Sequence, residues 1–354
     1  MPDEITIPGR RIGLGHPCYV VAELSANHNQ SFERAVEVVR AAAEAGADAI
    51  KLQTYTADTL TLDCDAPPFR IGAGSPWEGR TLYELYSEAY TPWEWHDELQ
   101  RVAHDLGLDF FSTPFDASAV DLLERLNVPL YKIASFELVD LPLVRRVAAT
   151  GKPLVMSTGM ATQEEIREAV DAARGEGDGG IVLLKCTSSY PASPEEMNLR
   201  AIPAYRETFD VPVGLSDHTL GVAVPIAAVA LGACLIEKHL TISRSDPGPD
   251  SAFSLEPTEF RTMVEAVRVA TAALDSNSPG GSERPNPNRG FRRSLFVVRD
   301  VAAGEIFSLE NVRSIRPADG LAPKHLDAVL GRRAARQIDR GTPLSWDLVA
   351  GAED

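Results

Sequence analysis

The chain has 354 residues, 44% of them hydrophobic, enough for one large domain or a large domain with a small companion, and it needs no disulfide staples to hold a core. A net charge of -17 argues against general binding to nucleic acid or an anionic membrane surface, since both require a basic face. Cys18, Cys64, Cys186 and Cys234 lack the spacing of a disulfide framework or a zinc site, no apolar run reaches the ~20 residues of a membrane span, and "MPDEITIPGRR" lacks a signal-peptide pattern, so a reducing, cytoplasmic setting is expected.

In chain order, the first 240 residues alternate short β-branched runs with Ala/Glu/Arg-rich segments of helical period. That is the pattern of a parallel sheet with crossover helices. Strands are predicted at 19–22 ("YVVA"), 48–52 ("DAIKL"), 109–112 ("DFFS"), 129–134 ("PLYKIA"), 153–157 ("PLVMS"), 180–185 ("GIVLLK"), 211–215 ("VPVGL") and 234–239 ("CLIEKH"). The first intervening helix, "SFERAVEVVRAAAEAGA", has Ser31 as its cap, Glu33 at the positive end of the dipole and Gly46 at its stop; "TQEEIREAVDAARGEG" carries a capping box of Thr162 and Glu165.

Eight such units fit an α/β fold of the (β/α)8 TIM-barrel type better than an open doubly wound sheet, and no G-x-G-x-x-G follows the first strand. An insertion at 54–95, dense in Tyr and Trp, reads either as a packed helical excursion or as a loop that shapes a substrate site. Residues 276–290 are rich in Pro, Gly, Ser and Asn and read as a linker between a barrel domain, 1–275, and a small, mostly β module, 291–354.

In barrels of this type the carboxyl ends of the strands form the active-site mouth. Those ends carry Glu23, Asn27, Lys51, Gln53, Thr113, Lys132, Ser135, Ser157, Lys185, Ser188, Tyr190, Ser216, His218, Glu237, Lys238 and His239. Only six of the 34 basic residues are lysines, and four of these six, Lys51, Lys132, Lys185 and Lys238, belong to predicted strands. Lysines and hydroxyls converging on one mouth describe a pocket for a small phosphorylated or carboxylated anion. Alternation along the last strand turns Glu237 and His239 inward and Lys238 outward. A single strand histidine is structural more often than not, but His218 and His239 end neighbouring strands beside carboxylates, a pair suited to sharing a divalent metal.

The ordered segments "AELSANHN", "AIKLQT", "FSTPFD", "YKIAS", "STGMA", "LLKCTSSYP", "GLSDHTLG", "IEKHLT" and "GPDSAFSLEP" resemble the sialic acid synthase family over nearly the whole chain, and the last 60 residues resemble its antifreeze-like (SAF) domain. Within the family, "LYELYSEAYTPWEWH" and "GPDSAFSLEP" resemble the pseudaminic acid synthase branch. The resemblance implies condensation of phosphoenolpyruvate with 2,4-diacetamido-2,4,6-trideoxy-L-altrose and water, with release of phosphate and with His218 and His239 holding Mn or Mg, Co being a further option.

It implies that Lys51, Thr113, Lys132, Ser135, Ser157 and Ser216 hold phosphoenolpyruvate, with Lys185 and Ser188 beside them; Ser188 replaces an asparagine common in the family. It sets Glu23, Asn27, Gln53, Tyr190 and Asp250 toward the sugar, with Glu23 or Glu237 moving protons. It also implies a domain-swapped homodimer in which Arg316, in "SIRPADG", is donated by the partner. The alternatives are an N-acetylneuraminate or legionaminate synthase, a carbohydrate-binding protein without turnover, and a lysine Schiff-base aldolase, which would survive a chelator.

Overall fold

The computed structural model describes residues 4–72, 74, 77–274 and 287–351. Two compact units divide the chain, Met1–Ser276 and Asn277–Asp354. Residues 276–286 of the predicted linker lie outside the described residues, and its end enters a single 3-10 turn, Pro287–Phe291.

The first unit opens with a hairpin of β1 (Glu4–Ile7) and β2 (Arg10–Gly13), followed by eight parallel strands: β3 (Tyr19–Glu23), β4 (Ala49–Thr54), β5 (Asp109–Pro114), β6 (Tyr131–Ile133), β7 (Leu154–Ser157), β8 (Ile181–Cys186), β9 (Val213–Asp217) and β10 (Leu235–His239). They close into a barrel in which β10 pairs with both β9 and β3. The strands are buried on both faces, so they read as continuous apolar runs until their polar carboxyl ends. Between them run amphipathic helices with the expected starts. Ser31 Oγ accepts from Arg34 N at 3.2 Å ahead of Phe32–Glu44, and Thr162 and Glu165 form a reciprocal capping box ahead of Gln163–Glu176.

The hairpin was not anticipated from the sequence. Its strands are four residues long, with only Ile5, Ile7 and Ile12 as large apolar positions, all buried. The two-residue turn depends on Gly9 at φ +76°. Ile5 packs on Gly180, immediately before β8, where a Cβ would stand 2.8 Å from Ile5 Cγ2. The hairpin therefore covers the amino end of the barrel, opposite the mouth.

The segment after β4 forms a short helix, Ala57–Leu60, then Leu82–Ala89 started by a Thr81/Glu84 capping box, then a turn, Trp93–Trp95, leading into the crossover helix His96–Asp105. It is tied down beside the mouth: Trp93 Nε1 donates to Tyr55 O at 3.1 Å, and Gln30 Nε2 donates to Tyr90 O at 2.6 Å. Behind it two histidines are sealed away from solvent, His96 against Thr54 Oγ1 at 2.8 Å and His28 edge-on to Trp95.

The second unit is built on antiparallel β11 (Ser294–Val297) and β12 (Val312–Ile315) around a core that includes Leu295, Val297, Phe307, Val312 and Leu344. Isolated bridges, among them Val301 to Ile338 and Ala334 to Val349, extend the β character. Gly320 has no room for a side chain, since a Cβ there would meet Leu295 O at 2.2 Å.

Candidate active site

The carboxyl ends of the barrel strands converge on a buried, charge-balanced cluster. Lys51 Nζ on β4 lies 2.6 Å from Glu23 Oε2 on β3 and 3.7 Å from Glu237 Oε1 on β10, and donates to Thr113 Oγ1 on β5 at 3.1 Å. Lys132 Nζ on β6 is 3.9 Å from the same Glu237 oxygen, which also accepts from Ser216 Oγ at 3.1 Å. Lys51 and Lys132 are 3% and 2% exposed, so two ammonium groups have been taken out of water beside two carboxyls. Such burial is tolerated only where partners compensate it.

Environment separates these four groups. Burial pushes Glu23 up in spite of Lys51. Burial acts the same way on Glu237, but Lys132 and Lys51 outweigh it and hold that carboxyl below its ordinary value. Burial opposes the charge of Lys51, yet Glu23 and Glu237 raise it; burial wins at Lys132, which is lowered. Glu237 Oε2 and Ser157 Oγ are buried with no hydrogen-bond partner among the described residues, leaving acceptor and donor capacity facing inward.

His218, just past β9, and His239, ending β10, stand with ring centroids 5.4 Å apart. His218 Nδ1 bonds Thr187 O at 3.0 Å, which leaves Nε2 free. His239 Nδ1 is buried without a hydrogen bond, with Asp250 Oδ2 at 4.0 Å. Burial lowers His239 well below the ordinary imidazole value, so the ring is neutral and able to bind a cation. Among the described residues no group of three or more His, Cys, Asp or Glu gathers around one point, so a metal here would have two imidazoles and open positions for water and substrate. The backbone carbonyl behind His218 is the usual device for fixing a ligating tautomer. The residues fit a divalent ion on these grounds.

Above the cluster opens a cavity of about 410 Å³. Gln53, Tyr190, His239 and Asp250 line it, with Gln53 Nε2 reaching down to Glu23 Oε1 at 3.1 Å. Tyr190 stacks between His218 and Phe253 at 4.5 and 5.1 Å. The remaining wall comes largely from the insertion, including Tyr55, Leu60, Leu82, Leu85 and Tyr86. Both readings of that segment apply, since it is a packed helical excursion whose residues also line the cavity.

Ser135 and Ser188 meet around Gly159, where a Cβ would stand 2.5 Å from Ser135 Oγ and 2.6 Å from Ser188 Oγ. Ser188 Oγ and Ser135 Oγ thus stand on either side of one point. Lys185 does not join the cluster, contrary to expectation. Its neighbour Cys186 takes the inward position, with Sγ 4.0 Å from His218 Nδ1, and alternation turns Lys185 onto Cys186 O and Thr187 Oγ1 at 2.5 and 3.2 Å. Lys238 faces away as well, ion-paired with Asp217 on β9 and donating to Thr219 O.

Asn27 also departs from expectation. Its Nδ2 braces two loops by donating to Leu240 O at 3.0 Å and Ser254 Oγ at 2.9 Å, its Oδ1 is buried with no hydrogen-bond partner among the described residues, and the residue is not among those lining the cavity. Arg316 lies in the second unit and is exposed. Sequence reasoning missed Glu137, Phe136 and Phe115 on the cavity wall; the only sign of the first two was their position just after Ser135.

Comparison with known proteins identifies relatives along nearly the whole chain. Residues 38–278 match the model of the NeuB family and residues 292–350 that of the SAF domain. The chain is 46% identical over 336 residues to pseudaminic acid synthase of Helicobacter pylori, covering 94% of this chain and 97% of that one. It is 38% identical to N,N'-diacetyllegionaminic acid synthase of Legionella pneumophila, covering 95% and 96%. A crystal structure of N-acetylneuraminic acid synthetase from Leptospira borgpetersenii, in complex with citrate, superposes with a TM-score of 0.70 at 30% identity, covering 81% of this chain and 93% of that one. With the family's motifs on the ends of a closed barrel and its two domains in order, the chain belongs to the NeuB family, the sialic acid synthases.

Proposed function

We propose that the chain condenses phosphoenolpyruvate with 2,4-diacetamido-2,4,6-trideoxy-L-altrose and water to give pseudaminic acid and phosphate. The observation that carries the reaction class is the Lys51/Lys132 pair buried beside a sugar-sized cavity, with the neighbouring His218 and His239 rings at its edge. The branch rests on the higher identity to the Helicobacter enzyme than to the Legionella one.

Phosphoenolpyruvate settles on Lys51 and Lys132, with Thr113, Ser135, Ser157, Ser188 and Ser216 as directional donors to its phosphate and carboxylate. The cluster is already neutral, two lysines against two carboxyls, so a multiply charged anion favours the protonated form of Glu23, which burial has pushed up. His218 and His239 would hold Mn or Mg, with Co a further option, and such an ion supplies Lewis acidity toward the aldehyde oxygen. The C2=C3 π electrons of phosphoenolpyruvate form the new bond from C3 to the aldehyde carbon, whose oxygen takes up a proton; water adds at C2 with loss of a proton, and the C2–O bond to phosphate breaks as the added hydroxyl gives up its proton to leave the 2-keto group. Glu23 is the carboxyl suited to exchange a proton during these steps; Glu237, held ionised, balances the lysines and faces positive charge as it develops at C2. Tyr190, Gln53 and Asp250 orient the sugar from the cavity side.

The active form on this reading is a domain-swapped homodimer, with the partner subunit's Arg316 over the sugar; its support is the family likeness of the "SIRPADG" segment. The deciding experiment is phosphate release from phosphoenolpyruvate by chelator-treated protein with Mn restored, offering the altro diacetamido sugar, the manno diacetamido sugar and N-acetylmannosamine in parallel. Release with the altro sugar alone, and only after Mn is added, is expected. Release confined to another sugar would transfer the assignment to that substrate, and activity that survives the chelator would sink the metal.

A further inference from the structure

Glu137 lies on the loop between β6 and the helix Leu141–Ala148, two residues past Ser135, and lines the cavity together with Phe136 and the insertion's Tyr55 and Tyr86. Its Oε2 is shut off from solvent and has no hydrogen-bond partner, and no cation is paired with the carboxyl among the described residues. A buried acceptor left without a donor is costly, and a folded protein retains one where something else is to fill the vacancy. Burial pushes this carboxyl up to about 7. It also adds to burial in raising the nearby Tyr86 hydroxyl. Lys132 pulls the carboxyl the other way, less strongly than burial, so the group lines a largely aromatic, apolar wall with one unused acceptor oxygen.

The physical demand of this corner is narrow. A hydroxyl-rich sugar end would leave its own polar groups facing Tyr55, Leu82, Leu85 and Phe115 without partners. A cation is disfavoured because the positive charge of Lys132 already acts on this carboxyl. An acylamino group meets both features, since its N–H donates to a lone carboxyl oxygen and its methyl packs on aromatic rings. We infer that Glu137 is a specificity-determining residue that receives the N–H of a second acylamino group, the one remote from the aldehyde, while the insertion buries the apolar end of the same sugar. This assignment deepens the reading under Proposed function and rests on it.

The test compares the parent enzyme with Glu137→Gln, which keeps one carbonyl acceptor, and Glu137→Ala, which keeps none. Steady-state KM and kcat are measured for the altro diacetamido sugar and for N-acetylmannosamine at saturating phosphoenolpyruvate, along with KM for phosphoenolpyruvate and the melting temperature. The expected result is a rise in KM for the diacetamido sugar of roughly 10- to 100-fold in Glu137→Ala, from loss of one charge-assisted hydrogen bond. Glu137→Gln, a neutral acceptor, recovers part of it, KM for phosphoenolpyruvate stays unchanged, and discrimination against N-acetylmannosamine falls in Glu137→Ala.

A loss of kcat shared equally by every sugar, with KM unmoved, would make Glu137 a proton-transfer group and overturn the inference. Folded variants with unaltered sugar discrimination would overturn it too. If the parent turns over N-acetylmannosamine and not the diacetamido sugar, it is the substrate reading that has failed, and this assignment goes with it.

Discussion

Gly159 offers a sharp test of how the anion site is assembled. It follows β7 at φ +29°, and an alanine Cβ there would stand 2.4 Å from Ser135 Cβ, 2.5 Å from Ser135 Oγ and 2.6 Å from Ser188 Oγ. Carbon atoms in contact normally rest ~3.5–4.0 Å apart, so the overlap is about 1 Å or more. Ser135 Cβ is no flexible tip, so the clash moves the backbone of its loop. Both serines are assigned to the phosphoenolpyruvate phosphate or carboxylate, and hydrogen bonds to charged groups are worth about 1.5–3 kcal/mol each. Displacing two without deleting them should cost about 3 kcal/mol in total, which is roughly 100-fold in KM for phosphoenolpyruvate. Backbone strain at positive φ adds about 1–2 kcal/mol to the folding cost, lowering the melting temperature without unfolding the barrel. The assay is phosphate release against phosphoenolpyruvate concentration at saturating sugar, paired with a thermal melt. A folded Gly159→Ala enzyme whose KM for phosphoenolpyruvate stays within about twofold of the parent would refute the assignment of both serines.

Two further outcomes follow from the structure. Burial holds His28 and His96 at about 4, below their value in the unfolded chain, so the unfolded state takes up protons first as pH falls. Stability is therefore unaffected above about pH 6.5 and declines between there and pH 4, by about 3 kcal/mol per histidine at the low end. Urea denaturation at pH 7.5, 6 and 5 should show this slope, and His96→Gln should flatten it; equal slopes in the two proteins would remove His96 from the account. For the domain swap, an inactive His218→Ala protein mixed and reassembled with an inactive Arg316→Ala protein should regain activity, since one mixed site carries both native residues. No recovery, with mixed dimers shown to form, would exclude donation between copies.

The barrel was readable because each parallel strand is apolar throughout and then turns polar where it meets the mouth. Lys51, Lys132, His218 and His239 were readable as mouth residues for the same reason. Lys185 was misplaced because only the register with β9 decides whether it or Cys186 turns inward. The bracing of Asn27 was not readable because its Nδ2 donates to Leu240 and Ser254, contacts more than 200 positions away along the chain. The β1–β2 hairpin escaped notice because its three isoleucines gain meaning only against the underside of a finished barrel. Glu137 carried no pattern and Gly159 only its place in "STGMA"; what marks them is an empty acceptor in one case and an absent volume in the other.

The reactive cluster and the cavity wall come from different parts of the chain. The charges are spread over the ends of β3, β4, β6 and β10, with hydroxyls from β5 and β9 between them, so altering any one charge disturbs a balance held by all. Much of the wall comes from one uninterrupted stretch between β4 and the helix His96–Asp105, fastened at its edges by the Trp93 and Gln30 hydrogen bonds. Inheritance can act on these two parts at different speeds. A lineage can exchange that stretch and acquire a taste for a different sugar while its bond-making chemistry stands still, and a laboratory graft of the same stretch between relatives should carry the preference with it.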